Sequence, residues 1–227
     1  MNYKNHNMVI HPELIANTVN NIFYCCPTVI KNEVLNHMQV MEVAENTTFI
    51  KKGDPCTGMY LIIKGGVKLY QDEAKKKRIF LFKTVNDLIG LQSMMSGDNF
   101  THSADALEDI VVGFIAKSQI EKLIVTYPQA FYSLLKKVNE KAEEMEQRSC
   151  MVMTGRAENI VLDAIEDLKK RFGVDKEGYV NVHISAQDLA SYTCMSKTNL
   201  YRVLQTLKNK RALHHHLSRY RIEKLEV

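Results

Sequence analysis

Apolar positions recur with two different periods along this chain, and the points where the period changes divide it. Up to about residue 40 the spacing is helical but broken. Pro12 can open a first turn that carries Leu14 and Ile15, and after Pro27 the residues Val29, Ile30, Val34, Leu35 and Met38 recur at helical spacing. From Met41 the pattern becomes a series of short apolar or alternating runs: Val43, Phe49–Ile50, Met59–Ile63, Val67, Leu69, Ile79–Phe82 and Val111–Ile115. Punctuation separates them at Gly53-Asp54-Pro55, Lys64-Gly65-Gly66, Asp72–Lys77 and Ser96-Gly97-Asp98-Asn99. Short strands at this spacing predict an antiparallel barrel or roll. Gly65-Gly66 reads as a hairpin turn, because glycine tolerates positive φ. The basic run Lys75-Lys76-Lys77-Arg78 reads as a solvated hairpin tip.

Helical spacing returns after Ser118. Pro128 opens a long helix on which Phe131, Leu135, Val138, Ala142, Met145, Ser149 and Val152 follow at steps of four and three, a heptad-like seam. Lysines and glutamates flank it (Lys136, Lys137, Glu140, Lys141, Glu143, Glu144, Glu146). A core-facing helix could show the same seam, but a narrow apolar stripe between charged flanks suits packing on a symmetry mate. Phe131, Leu135, Val138, Ala142 and Met145 are therefore the expected contacts of a homodimer. Thr154-Gly155-Arg156 is the expected hinge, since glycine weakens a continuous helix. A further amphipathic helix carries Ile160, Val161, Ala164, Ile165 and Leu168 and ends before Gly173. Val180, Val182 and Ile184 then alternate as a short strand.

The stretch Ser185–Arg221 carries the strongest functional signal. Ser185 is a helix-capping type with Asp188 three residues on, and the first helix runs out near Tyr192–Thr193. Ser196 caps a second helix whose Leu200, Val203, Leu204 and Leu207 share one face. The other face carries Lys197, Thr198, Asn199, Arg202 and Gln205, side chains that reach phosphates and base edges. This is the spacing of a helix-turn-helix, whose second helix enters the DNA major groove. Leu213–Leu217 and Tyr220–Ile222 can pair as a wing that would bring Arg219 and Arg221 beside the recognition helix. The stretch holds seven basic residues against one acid, Asp188, while the whole chain carries only +4. A basic concentration on a near-neutral protein is the footprint of a polyanion-binding module. Ser196, Lys197, Thr198, Asn199, Arg202, Ser185 and Gln187 are the expected DNA contacts.

Composition narrows the class. A hydrophobic fraction of 45% over 227 residues supports real cores, in one large or two small domains. No run is long and apolar enough for a membrane span, and the N-terminus lacks the apolar core of a secretory signal. Five cysteines at irregular spacing do not form a disulfide framework, so a reducing cytoplasm is the expected compartment. Paired carboxylates, a nucleophile elbow and a metal-ligand cluster are all missing from the sequence, so no enzymatic activity is expected. His214-His215-His216 places only two side chains on one strand face, which makes no metal site.

The order of a β-roll, a long dimer helix and a winged helix-turn-helix resembles the Crp/Fnr superfamily of bacterial transcription regulators. The residues that carry the resemblance are Gly53-Asp54, the run Tyr60–Leu69, Asp87-Leu88-Ile89-Gly90, Tyr127-Pro128 and the block Ser185–Leu207. It covers the chain from roughly residue 25 on. It implies an α+β fold divided into a sensing roll (1–127), a dimerisation helix with its hinge (128–153) and a winged helix-turn-helix (154–227). It implies a homodimer on a two-fold symmetric DNA site, RNA polymerase as a further partner, and an effector pocket in the roll beside the long helix. The family's recognition helix usually presents Ser-Arg-Glu and then an arginine; here Ser196-Lys197-Thr198 is followed by Arg202, so the preferred DNA sequence should differ. Its cyclic-nucleotide cassette reads Gly-Glu followed later by Arg-Ser. Here Gly90 is followed by Leu91, and the arginine position falls at or near His102, before Ser103. Leucine accepts no hydrogen bond and neutral histidine cannot replace a bidentate guanidinium, so cyclic AMP is not the expected effector. Gly90, Leu91, His102 and Ser103 remain the expected pocket residues. An iron–sulfur cluster is not expected from adjacent Cys25-Cys26 with Cys56 and Cys150 remote, while haem through His37, His102 or another histidine stays open. The competing reading is a small-molecule-binding or scaffold protein with a vestigial helix-turn-helix.

Overall fold

The computed structural model describes residues 11–73 and 76–223. Lys75, one member of the basic run, lies outside them. The chain folds into two compact units. One takes in the described residues up to Leu69 together with Lys83–Glu144; the other takes in Tyr70–Phe82 and the described residues from Met145 on.

The first unit opens with α1 (Pro12–Ile22) and α2 (Thr28–His37). Pro12 sits in the first turn of α1, where its missing N–H costs nothing. The strands β1 (Gln39–Val43), β2 (Thr48–Ile50), β3 (Gly58–Lys64), β4 (Val67–Glu73), β5 (Lys76–Lys83), β6 (Leu88–Ile89), β7 (Ser103–Ala106) and β8 (Ile110–Ala116) make two four-stranded sheets, β1-β8-β3-β6 and β2-β7-β4-β5. Helix α3 (Leu91–Ser96) follows β6, and α4 (Lys117–Thr126) follows β8. The central pairing, β3 on β8, is antiparallel with Tyr60 opposite Phe114. Every apolar run singled out above lies on a strand; the short β6 and β7 do not announce themselves by pattern.

The Gly65-Gly66 expectation needs correction. The two glycines do not close a hairpin, because β3 and β4 belong to different sheets. Gly65 does take positive φ (+85°), but it turns the chain from one sheet into the other. A Cβ there would lie 2.7 Å from Ile110 Cγ2, so the crossing runs tight against β8. The physical reason is burial: β3 is filled on both faces and pairs with β8 and β6, while Val67 and Leu69 belong to the opposite layer.

Helices close one side of this roll. Val19, Ile22 and Phe23 of the first helical segment, Ile30 and Val34 of α2, and Ile120 and Leu123 of α4 pack with Met59, Leu61 and Ile115. Helix α5 (Pro128–Thr154) adds Ala130 and Leu134 to the same core.

The second unit contains the Tyr70–Phe82 stretch of β4 and β5 and the end of α5, then α6 (Ala157–Phe172), α7 (Ala186–Tyr192), α8 (Lys197–Asn209) and the wing strands β9 (Leu213–His216) and β10 (Arg219–Ile222). Gly155 stands at the break between α5 and α6, where a Cβ would lie 2.6 Å from Met151 O. Lys169, Lys170 and Arg171 occupy the last turn of α6, favourable to its dipole, and Gly173 ends it at positive φ. The strand expected at Val180–Ile184 does not form. The segment bonds the wing only at intervals, Val180 N to Tyr220 O and Ile184 N to Ser218 O, and Val180 makes one isolated bridge to Val174. Val180, Val182 and Ile184 are all buried, which is the source of their alternation. No helix among the described residues is long and apolar enough to cross a membrane.

Candidate functional site

Helices α7 and α8 are held by local chemistry. The Ser185 hydroxyl accepts from Asp188 N (3.0 Å) and the Ser196 hydroxyl from Asn199 N (3.1 Å), each satisfying one orphan amide of its helix. Thr193-Cys194-Met195 turns the chain between them, with Cys194 in the left-handed region at φ 55°. Leu200, Val203, Leu204 and Leu207 are buried, against a face that exposes Ser196, Lys197, Thr198 and Arg202. Asn199 is half-buried and accepts from Arg202 Nη2 through Oδ1 (2.8 Å), which holds the guanidinium along the helix. Lys197 extends toward Tyr201, an exposed ring on the same helix that spacing rules did not single out. Gln187 is exposed on α7 and Ser185 is half-buried.

The wing strands pair as expected, with Leu213 opposite Ile222, but the wing arginines are engaged within the unit. Arg219 pairs with Asp175 and approaches Glu177 (3.9 Å), and Arg221 pairs with Glu223 (2.6 Å) and donates to Glu177 O. Both guanidiniums also lie over Tyr179. The two arginines stitch the wing to the 175–179 loop, so their charge is largely neutralised within the unit.

In the roll, a cavity of about 130 Å³ opens beside α5, lined among others by Lys83, Asp87, Gly90, Leu91, Ser93, His102, Val138, Lys141 and Glu144. Gly90 makes its wall: it caps α3 at φ 89°, where a Cβ would lie 2.9 Å from the Phe100 ring. Lys83, only 6% exposed, donates to Asp87 Oδ1 (3.1 Å) and stands 3.8 Å from Glu144 Oε2. The second Asp87 oxygen accepts from Thr84 N (2.9 Å). Burial, and then the Lys141 charge, pull the His102 pKa down to about 4, so this imidazole is neutral at neutral pH. Burial, and then the Lys83 charge, pull Lys141 down to about 8.

Three of the four expected pocket residues, Gly90, Leu91 and His102, line this cavity. Ser103 does not; its hydroxyl turns away to accept from Lys52 N (3.0 Å). The cavity's charged members, Lys83, Asp87, Lys137, Glu140, Lys141 and Glu144, are absent from the expected pocket residues. A signal existed on α5: Lys137, Lys141 and Glu144 follow at i, i+4 and i+7 and share a side with Val138. Val138, assigned above to the dimer seam, lines this cavity and packs on the roll core. The other seam residues stay open on the single chain: Phe131 is 40% and Leu135 41% exposed, Ala142 is exposed and Met145 partly so.

Among the described residues the cysteines and histidines do not converge on one site. Cys25 and Cys26 share the Ser133 hydroxyl (2.7 and 3.2 Å), Cys56 bonds Gly58 O, and Cys150 is exposed on α5. Among the described residues no three His, Cys, Asp or Glu side chains converge as metal ligands.

Residues 40–127 match the family model of the cyclic nucleotide-binding domain. No curated protein sequence matches the chain. Among solved structures, the chain is similar to the c-di-GMP-responsive global regulator CLP of Xanthomonas campestris, at 15% identity and TM-score 0.76, covering 88% of this chain and 100% of that one. It is also similar to FixK2 of Bradyrhizobium japonicum, at 17% identity and TM-score 0.73, covering 82% and 93%. A Crp/Fnr-family regulator of Thermus thermophilus, TTHA1359, aligns at 14% identity and TM-score 0.72, covering 83% and 95%. The chain thus has the α+β fold of the Crp/Fnr transcription regulators, with a cyclic nucleotide-binding-type domain in its roll. The cavity's lining includes buried Leu91 and neutral His102 and, among the described residues, no arginine.

Proposed function

We propose that the chain is a homodimeric, sequence-specific DNA-binding transcription regulator governed by a small molecule in the roll cavity. The observation that carries this reading is α8. Its inner face is buried, its N-terminus is capped by Ser196, and its outer face offers Lys197, Thr198 and Arg202 to solvent. Within this fold such a face suits the major groove, with Arg202 toward guanine or phosphate and Lys197 toward phosphate. Thr198, where the family usually has glutamate, offers a hydroxyl and a methyl in place of a carboxylate, so the preferred site differs from that of typical members.

Two copies join along α5 through Phe131, Leu135, Ala142 and Met145, large or close-packing side chains that the single chain leaves open. A two-fold dimer reads two half-sites about 34–36 Å apart. The protein works in the cytoplasm, has RNA polymerase as a further partner and is not an enzyme. The effector is not cyclic AMP, in keeping with Leu91 and His102. Because the wing arginines are already paired, most of the phosphate contact falls to α7 and α8.

The test is selection of bound duplexes from a random library, followed by mobility shift of the winner with Arg202→Ala and Lys197→Ala. A palindromic winner whose binding both variants weaken supports the reading. Failure to select any sequence, or binding indifferent to both variants, supports a small-molecule-binding or scaffold protein with a vestigial helix-turn-helix.

A further inference from the structure

The cavity's charges pair unevenly. Its lining is formally neutral, with Lys83, Lys137 and Lys141 set against Asp87, Glu140 and Glu144. Lys83 takes Asp87 and Glu144, and Lys137 takes Glu140 at 2.8 Å. Among the described residues none accepts a hydrogen bond from the Lys141 ammonium or forms an ion pair with it. The Ser93 hydroxyl, 2% exposed and on the same lining, also has no hydrogen-bond partner among the described residues. A buried hydroxyl and a largely desolvated cation without partners each cost free energy unless something answers them. Asp87 attracts the ammonium through space without forming an ion pair with it, while its two oxygens accept from Lys83 and Thr84 N.

We infer that the cavity binds one compact oxyanion, a carboxylate or phosphate on a small skeleton, with the Lys141 ammonium as its counter-charge and the Ser93 hydroxyl as a donor to it. This rests on the regulatory reading above and names the class of effector. Size supports it: about 130 Å³ falls below the roughly 300–1,000 Å³ of pockets that enclose drug-sized molecules, and holds only a few heavy atoms. Charge limits the ligand to one anionic group, since a single ammonium on the lining stands without an ion-pair partner. Neutral His102 adds a polar wall without a second cation, and the aliphatic Leu91 and Val138 accommodate the carbon skeleton. The lowered pKa of Lys141 agrees with a cation held where water is scarce.

The experiment is thermal unfolding of the full chain at constant ionic strength in acetate, propionate, inorganic phosphate, cyclic AMP or choline chloride. A rise in Tm with the carboxylates or with phosphate, beyond that in choline chloride, is the expected result, and the separate arms decide which oxyanion is preferred. Lys141→Gln should weaken the apparent affinity at least tenfold, Lys141→Arg should restore it to within about threefold, and Ser93→Ala should weaken it severalfold. Should Lys141→Gln not fold, Lys141→Arg and Ser93→Ala still decide. No anion-specific rise, an undiminished rise in Lys141→Gln or Ser93→Ala, or stabilisation by cyclic AMP alone overturns the inference. Duplex binding measured on the same preparation separates the two readings. Binding of a duplex without anions sinks only the anion site, and binding of anions without any duplex sinks only the DNA reading.

Discussion

The Arg148 guanidinium lies over the ring of Tyr192, its central carbon 3.3 Å from the ring centroid, and also donates to the Tyr192 carbonyl. The Tyr192 hydroxyl in turn donates to Asp167 Oδ2 (2.6 Å), which also accepts from Arg171 Nε (2.9 Å). One tyrosine at the end of α7 thereby ties together α5, α6 and the helix-turn-helix. Burial raises its pKa and lowers that of Arg148, as expected of a cation and a phenol removed from water together. Tyr192→Phe keeps the ring and loses the charged acceptor, at a cost of about 1.5–3 kcal/mol. Arg148→Ala removes the stacked cation, at a cost of about 1–2 kcal/mol. In thermal unfolding the double variant should lose less than the sum of the two, because the partners are in contact; strict additivity would show that they do not interact.

The face of α8 makes a separable prediction. Arg202→Ala should weaken binding to the selected duplex by about 1–3 kcal/mol and relax preference at one base pair. Lys197→Ala should weaken all sequences alike and reduce the salt slope of log K by about one. Ser196→Ala should cost about 1 kcal/mol of stability through the lost cap, besides any effect on DNA. Binding isotherms at several salt concentrations distinguish these outcomes.

Acid and alkaline limbs of the stability curve report the roll cavity. His102 titrates near 4 in the fold and near 6.5 when unfolded, so the unfolded chain binds the extra proton between these values. Its contribution is complete above about pH 6.5 and is lost as pH falls to about 4, by about 3 kcal/mol at most. His102→Gln should flatten that limb. Lys141 titrates near 8 in the fold against 10.5 unfolded, so below pH 8 the fold carries a desolvated ammonium at full cost. Lys141→Met should therefore be more stable than the parent at pH 7, and the gap should narrow by pH 9.5. Denaturant midpoints across this range provide the check; a gap that is constant with pH would mean that Lys141 is not desolvated.

One hydroxyl of α7 bonds the backbone of β5 twice. Ser191 Oγ donates to Lys77 O (2.7 Å) and accepts from Ile79 N (2.8 Å), and Phe82 meets Tyr192 edge-on at 4.7 Å between centroids. Ser191→Ala removes both hydrogen bonds while leaving the ring contact. Amide exchange at Ile79 should accelerate at least tenfold in that variant; an unchanged rate would show that β5 is held by other means.

What the sequence discloses depends on how local the determinant is. The helix-turn-helix was legible because Ser185 and Ser196 cap within three residues and the leucines of α8 repeat within two turns. The strands of the roll were legible as apolar runs, but their partners were not: Gly65-Gly66 looks like a hairpin until burial on both faces of β3 sends β4 to the other sheet. Lys141 and Glu144 looked like solvated flanks of a seam, since nothing local tells a charge facing water from one facing a cavity wall. Ser103 illustrates the same limit, because its hydroxyl turns toward Lys52 N for reasons that lie in strand pairing. Glu223 stands two residues from Arg221, a local pairing, but only the wing's fold brings Asp175 and Glu177 to Arg219.

Sedimentation velocity of the full chain, alone and with the selected palindromic duplex, tests the central claim most directly. The account predicts a dimer at micromolar concentration, two chains per duplex, and loss of both on replacing Leu135 with lysine. A monomer that binds one to one, or a protein that forms no complex with any selected duplex, would contradict it.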